Sequence, residues 1–169
     1  AALVPPDWLE EVTERTIAAV ETMDTENFGG GGDTLAYALN LAGIESLPRR
    51  FKARLLPRLR AVAPIVVSQD PKEWQSYCAP PLKIAPSPQS PVADLLWDGM
   101  QAHLDYQIDH QTAQGTWEPT WTWGEFYPEV WEQAKNEWRG HLTLETLTVL
   151  GAFERIELNG IRHAKEESR

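Results

Sequence analysis

Apolar positions along this chain recur three and four residues apart and are interrupted by glycine and proline, which predicts helices separated by strong punctuation. Leu9, Val12, Thr16 and Val20 mark one face of a first helix over about 8–23, with Asp7 as its cap and Glu10 at the capping-box spacing. The run "NFGGGGD" at 27–33 then breaks the chain and reads as a flexible loop, natural or engineered. "DTLAYALNLAG" predicts a short helix that opens on Asp33 and stops at Gly43. A third helix is expected over 47–67, entered through Pro48 and kinked or split at Pro57.

"DPKEW" at 70–74 combines an Asp70 cap, Pro71 at the first helical position and Glu73 three residues on, so it predicts a fourth helix start. The next stretch, 79–91, holds five prolines and predicts an extended, polyproline-like connection wrapped over a surface. Ser90 and Pro91 launch the longest predicted helix, to about Gln111. Two more are expected, from about Pro128 to Arg139 and from Thr143 to Ile156. No segment alternates in the manner of a strand, so the class is all-α. The whole reads as one helical domain over 1–157, followed by a frayed tail over 158–169.

Length and composition agree with a soluble globular protein: 169 residues, 42% hydrophobic and 24% charged. A net charge of −10 excludes nucleic acid as a partner class, because phosphate binding needs a basic surface. No run of 18 apolar residues occurs, so no membrane span is expected. No secretory leader is visible, and a chain opening on Ala1 without methionine reads as processed, truncated or engineered. The single cysteine, Cys78, excludes an internal disulfide and fits a reducing, cytoplasmic setting. It reads more simply as a small apolar group than as a catalytic thiol.

Five of the eight tryptophans fall between residues 111 and 138. They follow "QTAQGTW", of form Q-x-x-x-G-x-W, placed directly after the longest helix. A glutamine amide there can satisfy carbonyls left open at a helix end, a glycine permits positive φ, and a tryptophan can pack over the junction. This motif resembles the QW repeat of the squalene-cyclase and prenyltransferase superfamily of α/α toroids. Beyond it, residues 117–157 are similar to the C-terminal part of a family of small toroid-related proteins, and the likeness extends back to about residue 47. The resemblance implies antiparallel helical hairpins forming part of an α/α toroid. It also implies completion of the ring by a second copy in a homodimer or by a missing N-terminal half. It makes Gln111, Gly115 and Trp117 structural. The D-x-D-D acid motif of protonation-initiated cyclases and the Asp/His/Cys zinc set of protein prenyltransferases are both absent.

Other constellations have a chemical and a plain reading. Trp117, Trp121, Trp123, Phe126, Tyr127 and Trp131 can wall a pocket for a hydrophobic small molecule of isoprenoid type, or simply pack helices. Asp94, Asp98, Asp105 and Asp109 share a 60° stripe of the long helix, suited to acid–base work or merely to water. Asp105, nearest the tryptophan turn, and His110 are the candidate catalytic pair. Six of the 15 basic residues crowd into 49–60. Arg50, Arg54 and Arg58 there suit a pyrophosphate or carboxylate, or an acidic face of the protein itself. No metal or cofactor motif is present.

Three functions follow as expectations. The first is a Trp-lined binder of an isoprenoid-like molecule, with cyclase or isomerase activity as an extension. The second is a non-catalytic helical scaffold or interaction module. The third is a carbohydrate-binding or carbohydrate-processing toroid using Glu118 and Glu125.

Overall fold

The computed structural model describes residues 5–156, and every regular element among them is helical. In chain order these are α1 (Pro6–Thr22), a 3-10 turn (Thr25–Phe28), α2 (Asp33–Gly43), α3 (Arg49–Val66), α4 (Pro81–Ile84), α5 (Ala93–Asp109) and α6 (Pro128–Ala152). The expected tail over 158–169 lies outside the described residues. No helix is long and apolar enough to cross a membrane. The chain packs as two compact units that divide within α5, between His103 and Leu104.

The first unit is organised by α3. Phe51, Leu55, Leu59 and Val62 recur at the four- and three-residue spacing of one helix face, and all are buried. Against them lie Ile17 and Val20 of α1, Phe28 of the 3-10 turn, and Leu35 and Leu39 of α2. Each such side chain contributes about 1.5–3 kcal/mol by leaving water. Pro57 and Pro64 neither split nor end α3. Both lie on its exposed face, so the carbonyls that lose a donor, those of Ala53 and Arg60, are on the side where water can reach. Asp7 does not cap α1; it occupies the first turn behind Pro6, and the buried stripe runs through Ile17 and Val20 while Leu9 and Thr16 are exposed.

The row of basic residues on α3 meets the acidic face of α1. Arg54 gives paired hydrogen bonds to Glu21, at 2.8 and 2.6 Å, and another to Glu14. Arg50 pairs with Glu10. Arg58 donates to the Met23 carbonyl at 2.5 Å, with its guanidinium over the Phe28 ring. Arg60 forks onto Asp94 at 2.7 Å. The Arg54 hydrogen bonds hold the Glu21 carboxyl below its ordinary range, and those of Arg60 do the same for Asp94.

Three loops depart from the sequence pattern. The glycine run is a fitted turn: Gly31 and Gly32 are buried, and Gly30 and Gly32 take φ of 64° and 77°. A Cβ on Gly32 would lie 2.5 Å from the Ala79 Cβ, whereas one on Gly31 would meet only the exposed Tyr77 ring. "DPKEW" forms no helix. Asp70 accepts the Lys72 N–H at 3.0 Å in a local turn, and Trp74 is anchored through its indole N–H to the Ser68 carbonyl. Ser68 then closes the loop by donating to the Ala79 carbonyl, which leaves no length for a helix. The proline-rich connection, expected to be extended, carries the single turn α4, whose Pro81, Leu82 and Ile84 are buried.

His103 is buried in this first unit, with its ring 4.5 Å from that of Trp74 and its Nδ1 accepting the Leu82 N–H at 3.3 Å. Burial alone pulls its pKa down to about 4.

Two outcomes follow for stability. Gly32→Ala combines a left-handed backbone with a clash and is expected to cost about 2–4 kcal/mol. Gly31→Ala is expected to cost well under half of that, both measured by urea unfolding. Because the folded state holds His103 neutral, its contribution is complete above about pH 6.5 and is lost as pH falls through about 4. Replacing it with Asn should therefore remove roughly 3 kcal/mol of the acid-induced loss between pH 7 and 4. Equal acid sensitivity of the two proteins would refute the assignment.

Candidate functional site

The second unit opens where α5 ends. His110 donates its backbone N–H to Tyr106, and Gln111 to Ile108, closing the helix. The Gln111 side-chain amide donates to the Gly115 carbonyl at 3.2 Å, and Gly115 takes φ of 78°. Thr112 accepts the Gly115 N–H and donates its own to Thr116, closing the turn. Trp117 is then turned inward. Its indole N–H donates to the Gln107 carbonyl at 2.8 Å, and its backbone N–H donates to the Thr143 hydroxyl on α6 at 3.2 Å. One buried indole thus ties the end of α5 to the middle of α6.

From this anchor the chain runs back over the start of α6. Trp123 carbonyl oxygen accepts the N–H groups of Phe126 and Tyr127 at 3.0 and 2.9 Å, and Tyr127 carbonyl oxygen accepts that of Trp131. Gly124 allows the loop to close on the Trp131 ring, which a Cβ there would meet at 3.0 Å. The tryptophans form two layers. Trp131 is buried and Trp138 half-buried on one face of α6. Trp123 tilts over Trp131 with ring centres 6.2 Å apart, and Trp121 stands edge-on to Trp138 at 5.4 Å. The outer layer keeps much of its surface in water: Trp121 is 39% exposed, Trp123 52%, Tyr127 63% and Phe126 77%. These residues, with Trp117 and Trp131, are the expected pocket walls, and the structure buries Trp117 and Trp131 and lays the outer four on the surface. An open groove of about 420 Å³ does exist in this unit, but Thr116, Arg139, Gly140, Leu144 and Leu147 line it and none of those aromatics does.

α6 is continuous from Pro128 to Ala152, where the pattern suggested two helices broken after Arg139. Gly140 keeps helical geometry, since its φ is not positive, and the Thr143 hydroxyl bonds back to the Arg139 carbonyl. The helix ends instead at Ala152, and Glu154 turns the chain with φ of 56°: Glu154 N–H donates to Gly151 and Arg155 N–H to Leu150. That turn delivers the Arg155 guanidinium to Asp105, the candidate acid–base residue, whose side chain is largely exposed. His110 is exposed as well, stacked on Tyr106 at 3.8 Å. Neither Asp105 nor His110 lines the groove. Glu118 receives both Lys135 and Arg139 at 2.9 Å, and these hydrogen bonds, Lys135 first, hold its carboxyl below the ordinary range. A proton shuttle requires the opposite shift. Among the described residues, no cluster of His, Cys, Asp and Glu could hold a metal ion. Cys78 is half-buried, and burial pushes its thiol up, away from the reactive thiolate. Arg50, Arg54 and Arg58, the candidate anion site, all have partners within the first unit.

Sequence reasoning passed over the exposed apolar positions Val130, Leu144 and Leu147 of α6. It also passed over a charge signal that was there to be read: no lysine or arginine occurs between Lys83 and Lys135. Comparison with protein-family models, with curated proteins and with solved structures returns no match for this chain.

The turn supports a graded expectation. Trp117→Ala should destabilise the second unit by about 3–5 kcal/mol. Gln111→Ala, which removes one exposed hydrogen bond, should cost no more than about 1 kcal/mol. Denaturant titration of each variant against the parent gives the two values.

Proposed function

We propose that this protein is a non-catalytic helical interaction module, and that the aromatic strip over 121–127 is its docking surface. The observation that carries this reading is the exposure of four neighbouring aromatic side chains on a hydrogen-bonded turn. An exposed apolar strip of this kind marks a binding surface rather than an interior. Large rings held by an ordered turn lose little conformational freedom on docking, so tryptophan, tyrosine and phenylalanine dominate protein interfaces. Catalysis lacks comparable support, because Asp105 and Glu118 both face cations inside the protein.

The finer reading of the fold, hairpins curved as part of an α/α toroid, is part of the same proposal. What supports it is the Gln111, Gly115 and Trp117 turn at the end of α5. A protonated, half-buried thiol at Cys78 is in keeping with a reducing, cytoplasmic setting.

Native mass spectrometry of protein isolated from its own cells tests the proposal. A complex with a second polypeptide is expected, and Trp123→Ala with Phe126→Ala should abolish it while leaving the circular dichroism unchanged. A retained hydrophobic small molecule or oligosaccharide, lost on the same substitutions, would overturn it in favour of ligand binding.

A further inference from the structure

Resting on that docking reading, we infer that the aromatic strip accepts a cationic amphipathic segment of a partner protein, one that interleaves lysine or arginine with apolar residues. Its apolar side chains lie on the outer rings, and its charges face the surrounding carboxylates.

Over 104–156 the second unit carries nine carboxylates against three cations, Lys135, Arg139 and Arg155. All three cations are engaged: two converge on Glu118, and Arg155 pairs with Asp105. Among the described residues no cation is left for Glu125, which sits inside the aromatic turn, or for Glu129 and Glu132, which follow it on the first turns of α6; all three are exposed. The rim of the strip is therefore negative and uncompensated among the described residues. A negative rim attracts a positive partner and repels a negative one, and the effect weakens with salt.

The rings favour the same partner. Indole and phenol faces attract guanidinium and ammonium groups, and the aliphatic stems of lysine and arginine cover apolar surface while their heads stay in water. A nucleic acid or an anionic lipid surface would meet the rim with like charge. A second copy of the described chain fits no better. Apposing two such strips brings like charge together, and Arg50, Arg54 and Arg60, its main basic cluster, are already bound to Glu10, Glu14, Glu21 and Asp94.

The test uses the full chain and two synthetic amphipathic peptides of equal length, one of leucine and lysine, the other of leucine and glutamate. Calorimetric titration at low salt should show the lysine peptide binding at least about tenfold more tightly, with the difference shrinking as salt rises. Trp123→Ala should weaken that binding about tenfold. The triple variant Glu125→Lys, Glu129→Lys, Glu132→Lys alters only exposed side chains, and it should reverse the order of the two peptides. If both peptides bind alike and both weaken on Trp123→Ala, the cationic partner is refuted while the docking surface stands. Lysine-peptide binding that ignores Trp123→Ala, or no binding by either peptide, refutes the inference outright.

Discussion

The second unit depends on one buried indole. Trp117 gives its ring N–H to the last turns of α5 and its backbone N–H to Thr143 of α6, so the chain leaving α5 is held at both ends of the junction. A buried donor without an acceptor would cost about 1–3 kcal/mol, and a misplaced ring of this size would forfeit more in lost packing. The position of Trp117 is therefore strongly determined. From that point the chain has only the residues up to Pro128 in which to return to the N-terminus of α6. That short return brings Trp121 and Trp123 against Trp138 and Trp131. The inner rings are covered by the outer ones, and among the described residues the outer ones stay exposed. A surface feature is thus the direct result of a core contact.

Charge is distributed by the same economy of partners. In the first unit the arginines of α3 are matched by glutamates of α1 and by Asp94, and α3 itself is the element around which the core is packed. These pairs are partly exposed, so they set the mutual orientation of α1 and α3 more than they stabilise it. Over 104–156 cations are scarce and two of the three serve a single carboxylate. Among the described residues, Glu125, Glu129 and Glu132 are for that reason left without compensation beside the aromatic turn. Two properties that are unremarkable separately, apolar exposure and uncompensated negative charge, occur together there.

The reading of individual elements shows where local pattern suffices. α2 begins at Asp33 and ends at Gly43, as its spacing predicts, because its buried Leu35, Ala38, Leu39 and Ala42 need only a helical period and a neighbouring face. The glutamine, glycine and tryptophan of the α5 turn were legible too, since the Gln111 amide and the Trp117 indole find their acceptors within ten residues, whereas the bond from the Trp117 backbone to Thr143 was not. "DPKEW" misled because a capping pattern needs length beyond it, and that length is taken by the bond from Ser68 to Ala79. Gly140 and Pro57 misled in the opposite direction. Each is a helix breaker by propensity, and each sits on an exposed face of a helix that runs on through it. The glycine run looked like a linker because composition reports freedom of the free chain, whereas Ala79 and Ile84 pressing on Gly32 are contacts from a distant segment.

Hydrophobic period, glycine and proline placement, and overall charge by themselves determine that this chain is helical, where most helices run, and that it is acidic. Those properties come from neighbours within a few residues of one another, where covalent geometry limits the alternatives. Tertiary structure alone decides which tryptophans are inside, which carboxylates keep a free face, and which arginines are already taken. Those outcomes depend on partners such as Asp105 and Arg155, 50 residues apart. No local pattern encodes such a pairing, because many partners are chemically equivalent until packing selects one.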